Sequence, residues 1–189
     1  MGTKVLIFSA PSGAGKTTLV HNLLVDNKFK LKFSVSACSR KMRGAEVNGK
    51  DYYFLSVDEF KSKIQNGEFL EWEEVYQDNY YGSLKSEVER IGNEGNNVVF
   101  DVDVKGGINI KKYYKQDALA IFVMPPSIEE LEKRLLKRST DNEDAIKTRI
   151  EKAKYEISFA KEFDVVIVND DLEKAIKEVR DIVSEFLNV

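Results

Sequence analysis

One cysteine, one histidine, one tryptophan and three prolines are all that the 189 residues contain of those types. A lone cysteine, Cys38, excludes an intrachain disulfide and a cysteine-based metal cluster. A single histidine, His21, cannot build a histidine-rich metal site, and it falls in a helical stretch where a surface position explains it. No apolar run approaches the roughly 18 residues that a membrane-spanning helix needs. The run VLIFSA at 5–10 is too short for the core of a secretion signal. An excess of positive charge is lacking as well: 29 Lys and Arg stand against 32 Asp and Glu, a formal net charge of -3. That balance speaks against binding to nucleic-acid polymers, which needs a basic face, but it leaves room for a local basic pocket. Proline-rich linkers, low-complexity tracts and internal repeats are missing too. What remains is the expectation of one cytoplasmic globular domain, 42% hydrophobic and 32% charged, long enough to bury a sizeable core.

What is present is a rhythm. KVLIFS (4–9) is a short apolar run of buried-strand type, and NVVFDVDV (97–104), ALAIFVMP (118–125) and FDVVIVND (163–170) repeat it. Helical patterns fall at 106–115, 127–138, 142–161 and 171–188. In the last, Leu172, Ala175, Ile176, Val179, Ile182, Val183 and Phe186 recur at spacings of three and four, an amphipathic stripe. Apolar strands alternating with helices predict an α/β fold, a parallel sheet covered by helices on both faces. Residues 36–95 break this rhythm with aromatic, turn-rich pieces, DYYFLS, EFLEWEEVY and DNYYGS. They read as a small mixed β subdomain inserted into the core.

The stretch SAPSGAGKTT (9–18) joins the first strand to a helix carrying Leu19, Leu23 and Leu24. It has the form of a phosphate-binding loop, in which backbone N–H groups and the helix N-terminus make an anion nest. Gly13 and Gly15 let the backbone approach phosphates where a Cβ would obstruct. Lys16 is expected to reach the β- and γ-phosphates and the Thr17 hydroxyl to ligate Mg²⁺. Ala10, Pro11, Ser12, Gly13, Ala14, Gly15, Lys16, Thr17 and Thr18 together form the expected ATP site. Ala10 departs from the usual pattern, which has glycine there. It stands at the strand end, outside the tightest part of the nest, so a negative φ leaves the loop intact.

Residues 33–54, FSVSACSRKMRGAEVNGKDYYF, bring together Ser36, Arg40, Arg43, Glu46 and Tyr52. Two arginines three apart can grip one phosphate with planar, permanently charged donors, and Tyr52 and Tyr81 can add phenolic ones. Asp101 and Asp103 close the strand at 97–104, where parallel sheets place their sites. Being two apart they are expected on one side of it, with loop capping as the alternative role. Arg134 and Arg138 lie four apart on one helical pattern, and Arg149 lies on the next.

Taken together these motifs resemble the guanylate kinase family, essentially end to end: SAPSGAGKTT, S-R-x-x-R-x-x-E-V-N-G-K-D-Y-Y-F, EFLEW, NYYGS, DVDVKG, PPSIEELEKRL-x-x-R and VIVNDDL. The resemblance implies transfer of a phosphoryl group from ATP to GMP and dGMP, with Mg²⁺ held by Thr17 and, through water, by Asp101. It implies that Arg40, Arg43, Tyr52 and Tyr81 bind the GMP phosphate while Ser36 and Glu71 read guanine, helped by Ser83 and Asp103. Glu46 and Asp101 complete the expected GMP site. Lys16 and Arg40 join Arg134, Arg138 and Arg149 as expected catalytic residues, the last three on a lid at about 134–150 between parts of a core at about 1–35 and 96–189.

Glu71 has a physical warrant of its own. Guanine presents N1–H and N2–H₂ as adjacent donors, and an ionised carboxylate accepts both. Adenine would face it with a lone pair, and an unpaired buried polar group rejects the wrong base strongly. Besides Ala10, the chain departs from the family pattern at Met42, Ala45, Lys105 and Ser139, none of which removes a charged or donor residue; Ser139 bears on lid stiffness. Two other readings share the fold: an interaction domain like those of membrane-associated scaffold proteins, and a kinase for another small phosphorylated substrate. Lys16, Thr17, Thr18 and the arginines, all present in a unit expected to stand alone, favour the enzyme.

Overall fold

The structure, a computed structural model, describes residues 2–138 and 143–189, apart from the side chains of Arg138 and Glu143. In chain order its elements are β1 (Val5–Ser9), α1 (Lys16–Leu24), β2 (Leu31–Phe33), β3 (Ala37–Cys38), β4 (Tyr53–Phe54), α2 (Val57–Gln65), β5 (Phe69–Tyr76), β6 (Asn79–Leu84), α3 (Lys85–Asn93), β7 (Asn97–Asp101), α4 (Val104–Tyr114), β8 (Ala118–Met124), α5 (Ile128–Arg138), α6 (Glu143–Ile157), β9 (Val165–Val168) and α7 (Leu172–Leu187). The central sheet has the order β2-β7-β1-β8-β9, every neighbouring pair parallel. Along β1 the side chains alternate between two cores. Leu6 and Phe8 pack with residues of α1 and α7, whereas Val5 and Ile7 pack with residues of α3 and α4. Both faces are therefore dry, which is why the strand reads as an unbroken apolar run. The stripe on α7 buries Ala175, Val179 and Val183 as its spacing requires, while Leu172 at its start is exposed.

The inserted segment forms a second, mixed sheet in the order β4-β3-β6-β5, with a core of its own around Ala37, Phe60, Phe69, Tyr80 and Leu84. Phe60 and Phe69 stack there with ring centroids 4.4 Å apart. Two helices in this region escape the sequence rhythm. α2 begins with a capping box between Ser56 and Glu59, and α3 returns the chain to the main sheet by burying Val88 and Ile91. α5 and α6 pack on each other through Leu131, Leu135, Ile146, Ile150 and Ala153.

One sequence expectation is corrected here. The strand at 97–104 ends at Asp101, so Asp101 and Asp103 do not share a strand face. Asp103 is the N-cap of α4, its Oδ1 accepting from the Gly106 N–H at 2.7 Å. The Ser9 hydroxyl donates to the carbonyls of Val102 and Asp103 at 2.9 and 3.0 Å, which holds this bend against β1 instead of extending the ladder.

The two sheets are joined at Glu87 of α3, only 2% exposed. Its Oε1 accepts from the Val35 N–H (3.3 Å), in the link between β2 and β3, and from Arg90 Nη2 (2.9 Å). Its Oε2 accepts from the Tyr53 hydroxyl (2.8 Å) on β4 and from Arg90 Nε (2.9 Å). Burial pulls the Glu87 pKa upward, but the donors Arg90, Tyr53 and Val35 outweigh it and hold the group below the usual carboxylate range. A carboxylate so depressed adds stability above its unfolded pKa, and that stability is lost as the pH falls through the folded value. Glu87→Ala leaves the Tyr53 hydroxyl and Val35 N–H without this acceptor, so unfolding in urea at pH 7 should show a loss of about 1–3 kcal/mol. The loss should shrink on acidification. Equal stability of variant and parent at pH 7 would refute the joint.

Candidate functional site

β1 runs into a loop in which Gly13 and Gly15 have φ of 91° and 96°, a region that glycine enters freely. A Cβ on Gly15 would collide with Asn169 Nδ2, which donates to the Ala14 carbonyl at 2.7 Å. Asn169 is 5% exposed and follows β9, so the edge of the sheet pins the loop from outside. Ala10 is not among the residues of positive φ, and it packs against the core shared by α1 and α7. Its φ is therefore not one that demands glycine, and Ala10 also lines the cavity on which the loop opens. The loop and the first turn of α1 open on a cavity of about 370 Å³ bounded also by Asp101, Asp103 and Glu156. Lys16 Nζ is paired with Asp101 across its mouth, and Thr17 and Thr18 are exposed.

Glu156 is a residue that sequence reasoning missed. It is 7% exposed, and burial raises its pKa against the lowering pull of Lys152 and Lys16. The signal was its spacing: 149, 152 and 156 fall on one face of α6, so the face that carries Arg149 carries Glu156 as well. Asn169 was missed in the same way, quoted within VIVNDDL but given no task.

On the outer side of Gly13 and Gly15 lies a second cavity of about 320 Å³, bounded by Arg134, Lys137, Asn169 and Asp170. Arg134 donates from Nε to Glu130 Oε1 at 3.2 Å and from Nη1 to the Asn169 carbonyl at 3.0 Å. Arg149 is exposed on α6. The side chain of Arg138, and Ser139 with the rest of 139–142, lie outside the described residues.

A third cavity, about 200 Å³, opens between the two sheets. Ser36, Tyr52, Glu71, Tyr81, Asp101 and Asp103 line it, as the sequence leads one to expect, and so does Glu73. Beside it Arg40 is held on every side. Its Nη1 and Nη2 donate to Glu46 Oε2 and Oε1 at 2.7 and 2.6 Å, and its Nε donates to the Tyr81 hydroxyl oxygen at 3.1 Å. The guanidinium also lies over the rings of Tyr52 and Phe54, at 4.9 and 5.5 Å. Glu46 accepts in addition from the Arg43 N–H at 2.8 Å, while the Arg43 side chain is exposed. Glu46 thus grips Arg40, and the pairing drops its pKa to about 2 while raising that of Arg40.

Glu71 stands opposite Ser83 in the β5–β6 pair, and the Ser83 hydroxyl donates to its Oε1 at 2.6 Å. Its Oε2 lies against the first turn of α4, where a Cβ on Gly106 would come within 3.0 Å. Burial raises the Glu71 pKa in spite of the Ser83 bond, and the charge of Asp103 pushes the same way.

The family model described as guanylate kinase matches residues 2–186. The chain belongs to the guanylate kinase family. It is 57% identical over 188 residues to the guanylate kinase of Bacteroides thetaiotaomicron, covering 100% of this chain and 92% of that one. With the guanylate kinase of Porphyromonas gingivalis it shares 55% over 185 residues, 98% of each chain. The crystal structure of guanylate kinase from Anaplasma phagocytophilum superposes with a TM-score of 0.70 at 30% identity, over 97% of this chain and 86% of the other. For a guanylate kinase family member, the Arg40–Glu46 grip yields a test. Glu46→Ala removes the bidentate partner and leaves Arg40 to Tyr81 and the Lys41 carbonyl, so kcat/KM for the acceptor nucleotide should fall about 10- to 100-fold through misplacement. The pair is complete at any pH well above about 2, so the loss should not vary across the neutral range. Steady-state kinetics with unchanged kcat/KM would show that Glu46 does not position Arg40.

Proposed function

We propose that this chain transfers the γ-phosphoryl group of ATP to GMP, and to dGMP, in the cytoplasm, giving ADP and the nucleoside diphosphate. One observation carries the reading beyond family membership: the phosphate-loop cavity and the cavity holding Glu71 meet at Asp101, Val102 and Asp103. A donor phosphate on the loop and an acceptor nucleotide in the second cavity would then lie in adjoining spaces on either side of Asp101–Asp103.

Phosphoryl transfer asks the protein for position and charge more than for covalent chemistry. In this reading residues 10–18 surround the donor phosphates, the backbone N–H groups of Gly13, Gly15 and Lys16 donate to them, and Lys16 exchanges Asp101 for a phosphate oxygen. Arg40, prepositioned by Glu46, holds the acceptor phosphate with Arg43, Ser36, Tyr52 and Tyr81. Glu71 and Ser83 read guanine, with Asp103 at the cavity wall. Arg134, Arg138 and Arg149 bring positive charge on the lid at about 134–150, closing over a core at about 1–35 and 96–189 with the inserted subdomain at about 36–95. The exposed Thr17 hydroxyl and the Asp101 carboxylate are hard oxygen donors on one cavity, a set that suits Mg²⁺, which keeps several waters and rides on nucleotide phosphates. When bound, that ion neutralises phosphate charge and orients the transferring group.

ADP formation measured with GMP, AMP, CMP and UMP side by side tests the reading; equal rates, or preference for another base, would overturn it. Lys16→Ala should abolish turnover in a folded protein. Glu71→Gln places an NH₂ donor against one guanine donor, an unsatisfied pairing of about 1–3 kcal/mol, or roughly 10- to 100-fold in kcat/KM for GMP. AMP should gain relative to GMP, and inosine monophosphate, lacking the 2-amino group, should lose less. The raised Glu71 pKa gives a pH signature. Guanine needs the ionised form, so GMP turnover should fall on acidification at a pH above the usual carboxylate range. The Gln variant should lack that limb, and an unchanged profile would remove Glu71 from base recognition.

A further inference from the structure

The acceptor cavity contains one carboxylate to which the reading above gives no task. Glu73 follows Glu71 by two residues on β5, so the two side chains project from the same face of the strand. Both line the 200 Å³ cavity. Irregularities in the β5–β6 pairing fall between Phe69 and Glu71 and between Glu74 and Tyr76, so the rungs from Glu71 to Glu74 are regular. In that stretch Glu71 is opposite Ser83 and Glu73 is opposite Tyr81.

These two rungs mark different parts of a nucleotide. The Glu71–Ser83 rung carries the hydrogen-bonded pair assigned to the base. Tyr81 belongs to the phosphate end, where its hydroxyl accepts from Arg40 Nε at 3.1 Å. Two residues along a strand advance by about 6.6 Å, the scale of one sugar ring between a base and its 5′-phosphate. Asp103 stands on the same wall, but its Oδ1 is engaged by the Gly106 N–H at 2.7 Å. Glu73 is exposed along β5 yet lines the cavity. Partial desolvation raises its pKa, and the charge of Asp103 and a side-chain hydrogen bond with it push the same way against Lys105 and Lys152. With one contact to Asp103, the two-oxygen carboxylate keeps acceptor capacity beside the place where the sugar must lie.

We propose that Glu73 reads the ribose of the acceptor: its carboxylate accepts a hydrogen bond from the 2′-hydroxyl and makes the chain prefer GMP to dGMP. A carboxylate is the acceptor by which dinucleotide-binding folds recognise a ribose 2′-hydroxyl. The inference rests on the reading of this cavity as the GMP site. It turns a residue on the outer part of β5 into a determinant of sugar specificity.

The test is steady-state kinetics with GMP, dGMP and inosine monophosphate for the parent, Glu73→Ala and Glu73→Gln. The parent should favour GMP over dGMP by about tenfold in kcat/KM, the scale of one hydrogen bond to a charged acceptor. Glu73→Ala should bring GMP down to the level of dGMP and leave dGMP nearly unchanged. Glu73→Gln, whose amide oxygen still accepts, should keep part of the preference. Inosine monophosphate carries the same ribose and should fall in step with GMP. A parent indifferent to the 2′-hydroxyl, or the same GMP-to-dGMP ratio in parent and Ala variant, overturns the proposal. So does a fall of GMP and dGMP together to the level of inosine monophosphate, which would assign Glu73 to the 2-amino group instead. Failure of the underlying GMP reading looks different: the parent then phosphorylates neither guanine nucleotide, and Glu71→Gln changes nothing.

Discussion

The ion pair between Lys16 and Asp101 joins the two strand ends on which the site is built. β1 and β7 are parallel neighbours, and their register sets Phe8 beside Asp101. The helix after β1 therefore starts where β7 stops, and Lys16 on its first turn reaches the carboxylate that closes the next strand. Both side chains are mostly withdrawn from water, 17% and 26% exposed, so neither charge is well solvated alone. From this pair a chain of contacts runs onward. The Ser9 hydroxyl holds the carbonyls of Val102 and Asp103, the Asp103 carboxylate caps α4, and the first turn of α4 at Gly106 abuts Glu71. The loop and β5 are fixed to one another through the core of the main sheet. Strand ends and helix starts set their separation, which is the rigidity that a positioning enzyme needs.

Much of this was legible because it is local in sequence. The phosphate loop lies within ten residues, and its glycines, lysine and threonines each act on the backbone around them. The main strands declare themselves because both faces are buried, and the α7 stripe because one is. What was not legible depends on contacts between distant segments. Asp103 reads as strand until the Ser9 hydroxyl is known to take the carbonyls beside it. Glu46 reads as a site residue by its neighbours in sequence, and only the fold shows that both its oxygens are occupied by Arg40. α3 is short and carries several charges, so its apolar pair Val88 and Ile91 gives too weak a period to stand out. The Ser56–Glu59 capping box that opens α2 is a sequence signal too, but it sits in a region whose aromatic content suggested strands, and the helix went unread.

Two glutamates show how burial divides between stability and specificity. Glu87 and Glu71 are both withdrawn from water, and burial pulls both pKa values upward. Glu87 meets donors from Arg90, Tyr53 and Val35, and these reverse the shift. Its charge is satisfied within the protein, and it serves as a joint. Glu71 has the Ser83 hydroxyl on one oxygen, and the shift stays upward. Buried acceptor capacity left over by the protein's own donors is costly to the fold, and it is also what makes a ligand's donors count. Arg40 is fully gripped before any substrate contact, so its contribution is geometry fixed in advance. Under the reading proposed above, base choice would rest on the carboxylate with acceptor capacity left over and phosphate geometry on the arginine gripped in advance, two residues that can be altered separately.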